Sequence, residues 1–299
     1  EPVVQRAIYN NYNPFLQVRN RLKQYQLMGH LSQNGSKVEV IVVGGTFTGF
    51  EKKYQEWFIK SIFDGLNGKR SRSLDEAKKT NETAKHRCVG LSIETRPDYC
   101  KEKHTDEILN FGITRVELGI QSIYPDVLEF ANRGHTVEDI IEAIRIAKDA
   151  GLKVIVHVMP GLPKSDFERD LEMFKTIFSD PRFIPDDIKI YPTMVLKETK
   201  LHDMWKTGEY EAMSNEEIIK LLTEVKKIVP PSIRIRRILR DYEISNVTAG
   251  PRIGNLREIV QLELKRLGLR CRCTRCRELG HAKRIFGIEP VQENIKLVK

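Results

Sequence analysis

The sequence predicts an α/β fold built on a parallel sheet. Six hydrophobic runs alternate with segments of helical periodicity along the 299 residues, the pattern of a repeated strand–helix unit. Four runs end in a glycine or polar motif: Gly44-Gly45-Thr46, Glu94-Thr95-Arg96-Pro97, Gly119-Ile120-Gln121-Ser122 and Met159-Pro160-Gly161-Leu162-Pro163. In a parallel barrel such strand ends share one face, where active sites are built. Six units fit an open three-quarter barrel or a doubly wound sheet, and periodicity does not distinguish their strand orders.

The predicted elements follow in chain order. The first thirty residues are expected to be helical, because apolar residues in 14–22 recur every three or four positions. The predicted strands are 38–43 (a buried run), 89–93, 115–120, 153–159, 187–191 (carried on to 196) and 233–238. The predicted helices are 53–66, 105–111, 136–150, 166–178, 215–229 and 255–267.

Local signals set the ends of two of these helices. Gly112 and Gly151 follow helical patterns at the position where glycine commonly ends a helix. Thr136 and Asp139 have capping-box spacing, with Asp in the usual place of Glu. Residues 69–87 are polar and basic, which predicts an exposed insertion between two units.

Composition narrows the class of protein. The chain is 40% hydrophobic and 30% charged, as in a soluble globular protein. No run approaches the roughly 18 apolar residues that a membrane span needs. The first residues lack a signal-peptide pattern. We therefore expect a cytoplasmic protein.

The positive charge is concentrated in residues 232–284, here called the basic segment. It holds fourteen Lys or Arg and five Asp or Glu, a net +9 that equals the net charge of the whole chain. Such concentration favours a phosphate-backbone partner over a merely solvated surface. The residues predicted to bind nucleic acid are Arg234, Arg236, Arg237, Arg240, Arg252, Arg257, Lys265, Arg266, Arg270, Arg272 and Arg275.

A cluster of cysteines in the same segment predicts a metal site. Cys271, Cys273 and Cys276 lie within six residues, and His281 follows shortly after. Three thiolates and an imidazole suit tetrahedral zinc, and neighbouring arginines favour the thiolate form. Zinc is the first choice, with an iron–sulfur cluster second and three unligated thiols third. The fourth ligand is His281, with solvent or substrate as the alternative.

The strand-end residues have simpler explanations when each is taken singly. Gly44 and Gly45 allow a backbone to approach a ligand, but also a plain turn. Glu94 could accept hydrogen bonds from a ribose diol, or pair with Arg96 or a neighbouring lysine. Gln121, Arg133 and His157 could be satisfied buried polar groups, and for His157 a core role is preferred to metal ligation.

Taken together, these motifs resemble those of radical S-adenosylmethionine (SAM) enzymes of the coproporphyrinogen-dehydrogenase type. The resemblance is carried by Gly44-Gly45-Thr46, Glu94, Gly119-Ile120-Gln121-Ser122, Asn132-Arg133-Gly134-His135-Thr136 and Gly161-Leu162-Pro163. The chain is similar over nearly its whole length to the family of Elongator catalytic subunits, through Tyr12-Asn13-Pro14-Phe15-Leu16-Gln17, Ile93-Glu94-Thr95-Arg96-Pro97-Asp98-Tyr99-Cys100, Tyr191-Pro192-Thr193 and Gly254-Asn255-Leu256-Arg257-Glu258.

The resemblance implies a partial (β/α)6 barrel of the radical SAM type with a basic, metal-stapled C-terminal extension. It divides the chain into an N-terminal helical lead-in (1–36), the barrel (37–240), and a basic, helical, zinc-binding linker (241–299) toward an acetyltransferase domain that the chain lacks. It implies SAM and a 4Fe-4S cluster as cofactors. The implied reaction transfers a carboxymethyl group from acetyl-CoA to the wobble uridine of tRNA, with other Elongator-type subunits as partners.

The same resemblance assigns binding residues, although it identifies no catalytic residue. Gly44-Gly45-Thr46 would hold the methionine amino group of SAM, and Glu94 its ribose. Gln121 and Arg133 would contact the rest of SAM. Lys37 matches a lysine that the family associates with acetyl-CoA.

Two features depart from the family pattern. The chain has no C-x3-C-x2-C motif for the cluster, since Cys88 and Cys100 are isolated, and it stops before an acetyltransferase domain. We therefore expect the middle part of a longer protein, inactive by itself. The alternatives are another radical SAM enzyme of the coproporphyrinogen-dehydrogenase type and a non-catalytic tRNA-binding scaffold.

Overall fold

The structure, a computed structural model, describes residues 2–32, 34–240, 244–287 and 291. Its strands are β1 (Ser36–Val42), β2 (His86–Thr95), β3 (Arg115–Gln121), β4 (Lys153–Val158), β5 (Asp187–Ile190), β6 (Val195–Leu196), β7 (Arg234–Ile238) and β8 (Val247–Ala249). Its α-helices are α1 (Pro2–Tyr9), α2 (Pro14–Leu27), α3 (Lys52–Asn67), α4 (Leu74–Asn81), α5 (Glu102–Asn110), α6 (Pro125–Phe130), α7 (Val137–Asp149), α8 (Phe167–Ser179), α9 (Lys200–Thr207), α10 (Asn215–Ile228), α11 (Leu256–Arg266), α12 (Thr274–Arg277) and α13 (Leu279–Phe286). Strands and helices alternate as the sequence predicts.

The order of the strands decides between the two sheets that the sequence allowed. Six strands form one sheet in the order β1-β2-β3-β4-β5-β7. The pairs β1/β2, β2/β3 and β5/β7 are parallel. A doubly wound sheet reverses its order at a switch point, whereas this order never reverses. The sheet is therefore singly wound, as in β/α barrels, and the doubly wound alternative is wrong.

The fifth strand is shorter than predicted. It ends at Ile190, and the predicted extension to residue 196 is wrong. Pro192 follows, and a proline cannot donate to a strand ladder. Val195 and Leu196 form β6, which pairs antiparallel with β8 in a separate two-stranded sheet.

The prediction that the first strand is buried is also wrong. Along β1, half-buried residues alternate with exposed ones, and Ile41 is 40% exposed. The strand lies at the end of the sheet order and is hydrogen-bonded to β2, its one strand partner among the described residues. An apolar run indicates a strand, but it does not say how much of the strand is covered.

The segment 69–87 contains α4 and is not simply an exposed insertion. Ser73 caps this helix, because its side chain accepts a hydrogen bond from Glu76 N at 3.1 Å. Leu74 and Ala77 are buried. Two apolar residues make too narrow a stripe to stand out in a polar sequence, which explains why the helix was missed.

The predicted signals at the ends of α7 are confirmed. Thr136 Oγ1 accepts from Asp139 N at 3.1 Å, and Asp139 Oδ2 accepts from Thr136 N at 2.9 Å, which completes the capping box. Gly112 and Gly151 follow α5 and α7 with φ of 80° and 75°, a left-handed conformation in which glycine meets no Cβ penalty.

The chain divides into two compact units. Unit 1 comprises the described residues of 1–120 and 134–155, and its buried core includes Ile59, Leu91 and Val116. Unit 2 comprises residues 121–133, 156–240 and 244–299, and its buried core includes Phe174 and Leu222. The predicted boundaries at 36/37 and 240/241 stay predictions. Within the predicted linker, residues 241–243, 288–290 and 292–299 lie outside the described part of the chain.

None of the helices in the described residues is long and apolar enough to span a membrane.

Candidate functional site

The glycine motif after β1 is hydrogen-bonded to Glu94 in unit 1. Gly44 N donates to Glu94 Oε2 at 3.2 Å. Gly44 and Gly45 have φ of 138° and 90°, conformations that favour glycine. Arg96, one of the two alternative partners considered for Glu94, donates to Asp98 and to the carbonyl of Gly134. The other alternative, a neighbouring lysine, stays a prediction. The structure thus joins two of the predicted SAM-binding motifs.

A second carboxylate lies beside Glu94 and was missed by the sequence analysis. Glu117 on β3 is in parallel register with Glu94 on β2, and it is fully buried. The signal in the sequence was a single acidic residue inside the apolar run 115–120. Its position beside Glu94 depends on strand register, which one sequence does not provide.

Gln121 ends β3 in an unusual conformation. Its φ is +64°, in the left-handed region that non-glycine residues rarely adopt. Its side-chain Oε1 is buried and has no hydrogen-bond partner among the described residues. A buried polar atom of this kind needs a partner, and a bound ligand could provide one. Arg133, in the loop after α6, is half-buried, and Asn132 before it has a φ of 49°.

One other predicted residue, Lys37, lies apart from the strand-end motifs. Lys37 is exposed near the start of β1, while Gly44 follows its end. Seven residues of extended strand separate them by roughly 23 Å. His157 on β4 is buried and packs edge-on against Tyr191, with ring centroids 5.4 Å apart, and the preference for a core role stays a prediction.

The loop after β4 is held by a buried carboxylate in unit 2. Asp170 accepts hydrogen bonds from Gly161 N at 2.6 Å and from Ser165 Oγ at 2.7 Å. Tyr210 donates to Gly161 O at 2.6 Å. A cavity of about 390 Å³ adjoins this loop, lined by Phe130, Pro163, Lys164, Ser165, Met204, Glu209, Tyr210 and Glu211. Asp170 and Tyr210 were not found from the sequence, because their roles depend on contacts with distant residues.

Burial raises the pKa of Asp170 from 3.8 to about 6, which predicts a pH dependence of stability. The carboxyl group of Asp170 therefore binds its proton more tightly in the folded state than in the unfolded state. The stabilisation is complete below about pH 3.8 and is lost as pH rises through about 6. Urea unfolding would give the free energy of unfolding of wild type and of Asp170→Asn. We expect the difference between these two free energies to change by roughly 2–3 kcal/mol between pH 4 and pH 7.

The control for this prediction is Asp180→Asn. Asp180 is hydrogen-bonded to Arg182, and this pairing lowers the pKa of Asp180. Its pH dependence should therefore have the opposite sign. A difference between wild type and Asp170→Asn that stays constant with pH would contradict the prediction.

The three clustered cysteines are brought together in unit 2. The sulfur atoms of Cys271, Cys273 and Cys276 lie within 4.8 Å of one another, and all three side chains are buried and free of disulfides. Hydrogen bonds from the other two thiols lower the pKa of Cys273. The loop is fixed to the start of β7, because Thr274 N donates to Ile233 O at 3.0 Å.

Two basic side chains with buried nitrogen atoms, Lys226 and Arg257, lie near this cluster. Lys226 is fully buried, and its Nζ has no hydrogen-bond partner among the described residues. Burial lowers the pKa of Lys226, whereas the three cysteines act in the opposite direction. The Nη1 atom of Arg257 is likewise buried without a hydrogen bond, and Gln261 Nε2 lies 3.8 Å from Cys276 Sγ. A divalent metal on three thiolates carries a net negative charge, so the surroundings fit such a centre.

His281 lies outside this group of sulfur atoms. Its Nδ1 is 3.5 Å from Glu278 Oε2, at the start of α13. Among the described residues, the three thiols form a ligand group without it. The assignment of His281 as the fourth ligand stays a prediction.

The predicted nucleic-acid-binding residues fall into two groups. Arg234 pairs with Glu278, Arg236 Nε donates to Asp187 at 2.8 Å, and Arg257 Nη2 donates to Ile235 O at 3.0 Å. Arg237 and Arg275 are half-buried. The exposed members, here called the basic surface, are Arg240, Arg252, Lys265, Arg266, Arg270 and Arg272.

Known proteins are similar to this chain along its whole length. Residues 14–176 match the family profile described as Radical SAM superfamily, and residues 185–266 match the one described as Radical_SAM C-terminal domain. The tRNA uridine(34) acetyltransferase of Methanocaldococcus infernus is 49% identical over 299 residues, which are all of this chain and 55% of that protein. Human Elongator complex protein 3 is 42% identical over 299 residues, or 54% of its length.

A solved structure is also similar to this chain, in both fold and sequence. The structure titled "The archaeal Methanocaldococcus infernus Elp3 with N-terminus deletion (1-46)" superposes with a TM-score of 0.93 at 49% identity. The match covers 98% of this chain and 68% of that one. The chain spans about half the length of the curated relatives it matches.

Proposed function

This chain belongs to the radical SAM superfamily and, within it, to the family of the tRNA uridine(34) acetyltransferases and Elongator complex protein 3, and from this we propose that it is the SAM-binding and tRNA-binding core of an enzyme that modifies the wobble uridine of tRNA. The predicted α/β fold of the radical SAM type is confirmed. The observation that carries the proposal is 49% identity along all 299 residues to a tRNA uridine(34) acetyltransferase. In the complete protein, acetyl-CoA would supply the carboxymethyl group, and other Elongator-type subunits would be partners.

The contact between Gly44 and Glu94 supports the proposed binding of SAM. Gly44-Gly45-Thr46 would hold the methionine amino group, and Glu94 the ribose. The buried, unpartnered Oε1 of Gln121 supports its assignment to the rest of SAM, and Arg133 is assigned with it. When bound, SAM would supply hydrogen abstraction from the acetyl group. The family implies a 4Fe-4S cluster as well, but this chain has no C-x3-C-x2-C motif, and we derive no step through the cluster.

Zinc is proposed at Cys271, Cys273 and Cys276. The support is the buried ammonium of Lys226 and the buried Nη1 atom of the half-buried Arg257 beside three thiols, because a thiolate-bound ion would offset positive charge there. Zinc would fix the loop 271–276 and, through it, the exposed Arg270 and Arg272 of the basic surface. The basic surface is proposed to contact the tRNA backbone.

The test of the proposed function is acetyl-CoA hydrolysis by the complete gene product, with and without tRNA. We expect tRNA to stimulate hydrolysis, and we expect the 299-residue chain alone to be inactive. The control is an RNA of equal length without a tRNA fold. Equal rates with and without tRNA would contradict the proposal.

A further inference from the structure

Hydrogen bonds in unit 1 connect two of the loops that carry strand-end motifs to each other and to the segment before α7. Thr48, just after Gly44-Gly45-Thr46, donates from Oγ1 to Tyr99 O at 2.7 Å, and its Oγ1 is 2.5 Å from Thr95 Oγ1. These bonds connect the loop after β1 to the loop after β2. Arg96 Nη2 then donates to Gly134 O at 3.0 Å, which connects the loop after β2 to the segment before α7.

The guanidinium of Arg96 is held in one orientation by its own loop. Its Nε donates to Asp98 Oδ1 at 2.9 Å, and its Nη2 also contacts Asp98 Oδ2. The ring of Tyr99 lies 5.4 Å from the Arg96 Cζ atom. A planar guanidinium fixed by a bidentate carboxylate presents its remaining donors in a defined direction. The bond to Gly134 O is therefore directional.

The absence of a side chain at Gly134 leaves room for the guanidinium of Arg96. Gly134 has a φ of +69°, and a Cβ there would lie 3.0 Å from Arg96 Nη2, tighter than most Cβ contacts in proteins, so the guanidinium would have to shift. The next residue, His135, is buried, with its Nε2 3.4 Å from Ile120 O. Thr136 then caps α7. The segment 134–136 is thus fixed at each residue, and Arg96 supplies the bond from the loop after β2.

Both loops joined by Arg96 carry residues that we propose to bind SAM. Glu94 lies two residues before Arg96, and Arg133 directly precedes Gly134. We propose that Arg96 is a positioning residue for SAM: it holds the loop of Glu94 against the segment that begins at Gly134. Arg96 would not touch SAM itself. The inference rests on the proposed function.

The experiment is calorimetric titration of the complete protein with SAM, in wild type and Arg96→Lys. Lysine keeps the charge but lacks the planar fork that reaches Asp98 and Gly134 O together. We expect the Kd for SAM to rise about tenfold, the effect of losing a directional, charged hydrogen bond. The urea midpoint should stay close to wild type. Hydrogen exchange without SAM should become faster at the amides of residues 134–136.

The matched control is Arg182→Lys. Arg182 makes the same bidentate pair with Asp180, two residues away, but it is 64% exposed. Its replacement should leave the Kd for SAM and the exchange of residues 134–136 unchanged. Gly134→Ala disturbs the same hydrogen bond at its acceptor residue and should also raise the Kd for SAM. This variant keeps the inference testable even if Arg96→Lys folds poorly.

Three outcomes would overturn the inference, and they can be told apart. A Kd for Arg96→Lys within twofold of wild type, with SAM bound by both, would remove the positioning role and leave the proposed function intact. An equal rise of the Kd in Arg182→Lys would show a general effect of the substitution. Wild type that binds no SAM would overturn the proposed function and this role with it, and hydrogen exchange would then report only on the contact between Arg96 and Gly134.

Discussion

Replacing both Arg270 and Arg272 by Glu is expected to weaken tRNA binding to the complete protein by about 10- to 100-fold. Each exposed arginine that neutralises a phosphate releases counterions, and a glutamate in its place adds repulsion. The slope of log Kd against log salt should fall by about two. Fluorescence anisotropy with labelled tRNA between 50 and 300 mM salt, on the order of physiological ionic strength, would measure both quantities.

The control for this prediction is the double variant Lys148→Glu and Lys153→Glu. Both lysines are exposed, and both lie outside the basic segment. Arg236 and Arg237 are less suitable for this test. Arg236 is hydrogen-bonded to Asp187, and replacing Arg236 by Glu would place two carboxylates together. Equal affinity and an unchanged salt slope in the Arg270/Arg272 variant would remove these residues from the RNA surface.

Cys273→Ser is expected to cost the protein its bound zinc and several kcal/mol of folding free energy. A serine hydroxyl is a far weaker zinc ligand than a thiolate, and metal-binding free energy at such a site is also folding free energy. The loss would also remove negative charge beside Lys226, where burial already lowers the lysine's pKa, so its charged form would be less stable. Elemental analysis of the purified complete protein and urea unfolding would measure the two effects.

Cys100→Ser is the matched control, since Cys100 is a buried thiol outside the cluster. Burial raises the pKa of Cys100 to about 11, so it is neutral and not a metal ligand in this state. It should retain zinc at the wild-type level. Full zinc retention in Cys273→Ser would contradict the zinc assignment, whereas iron in place of zinc in wild type would select the iron–sulfur alternative.

Most features that depend on nearby residues were predicted correctly, apart from helix α4 and the end of β5. The six strands of the sheet each coincide with an apolar run, and the capping box at Thr136 was read from a spacing of three residues. These signals are local, because strand periodicity, helix caps and glycine stops act over one or two turns of chain. The alternation of strand and helix then limits the fold to a few topologies.

Features that depend on distant residues were not predicted. Glu117 lies beside Glu94 only through the register of two strands, and Asp170 reaches Gly161 only through packing. Lys226, near the end of α10, gave no sign of lying beside the cysteines. The β1 strand looked buried because a run of apolar residues says nothing of what covers it.

In the basic segment, too, the sequence predicts which residues are charged but not which of them face solvent. The sequence correctly located the excess of arginine, but it could not separate arginines that serve the fold from those that face solvent. Arg234 and Arg236 are paired with carboxylates from elsewhere in the chain, while Arg270 and Arg272 are exposed. A count of charges therefore overstates the surface available to RNA.

The sequential strand order has a consequence for how the chain is made. Each strand of the six-stranded sheet lies beside the strand that preceded it during synthesis, except that the short β6 intervenes before β7. A ribosome that delivers the chain from its N-terminus would release each new strand next to a partner already formed. Growth of the sheet by one strand at a time keeps loop closure short, although parallel pairing is slow in itself. The topology thus suits assembly in the order of translation, with β7 joining the sheet after its other five strands.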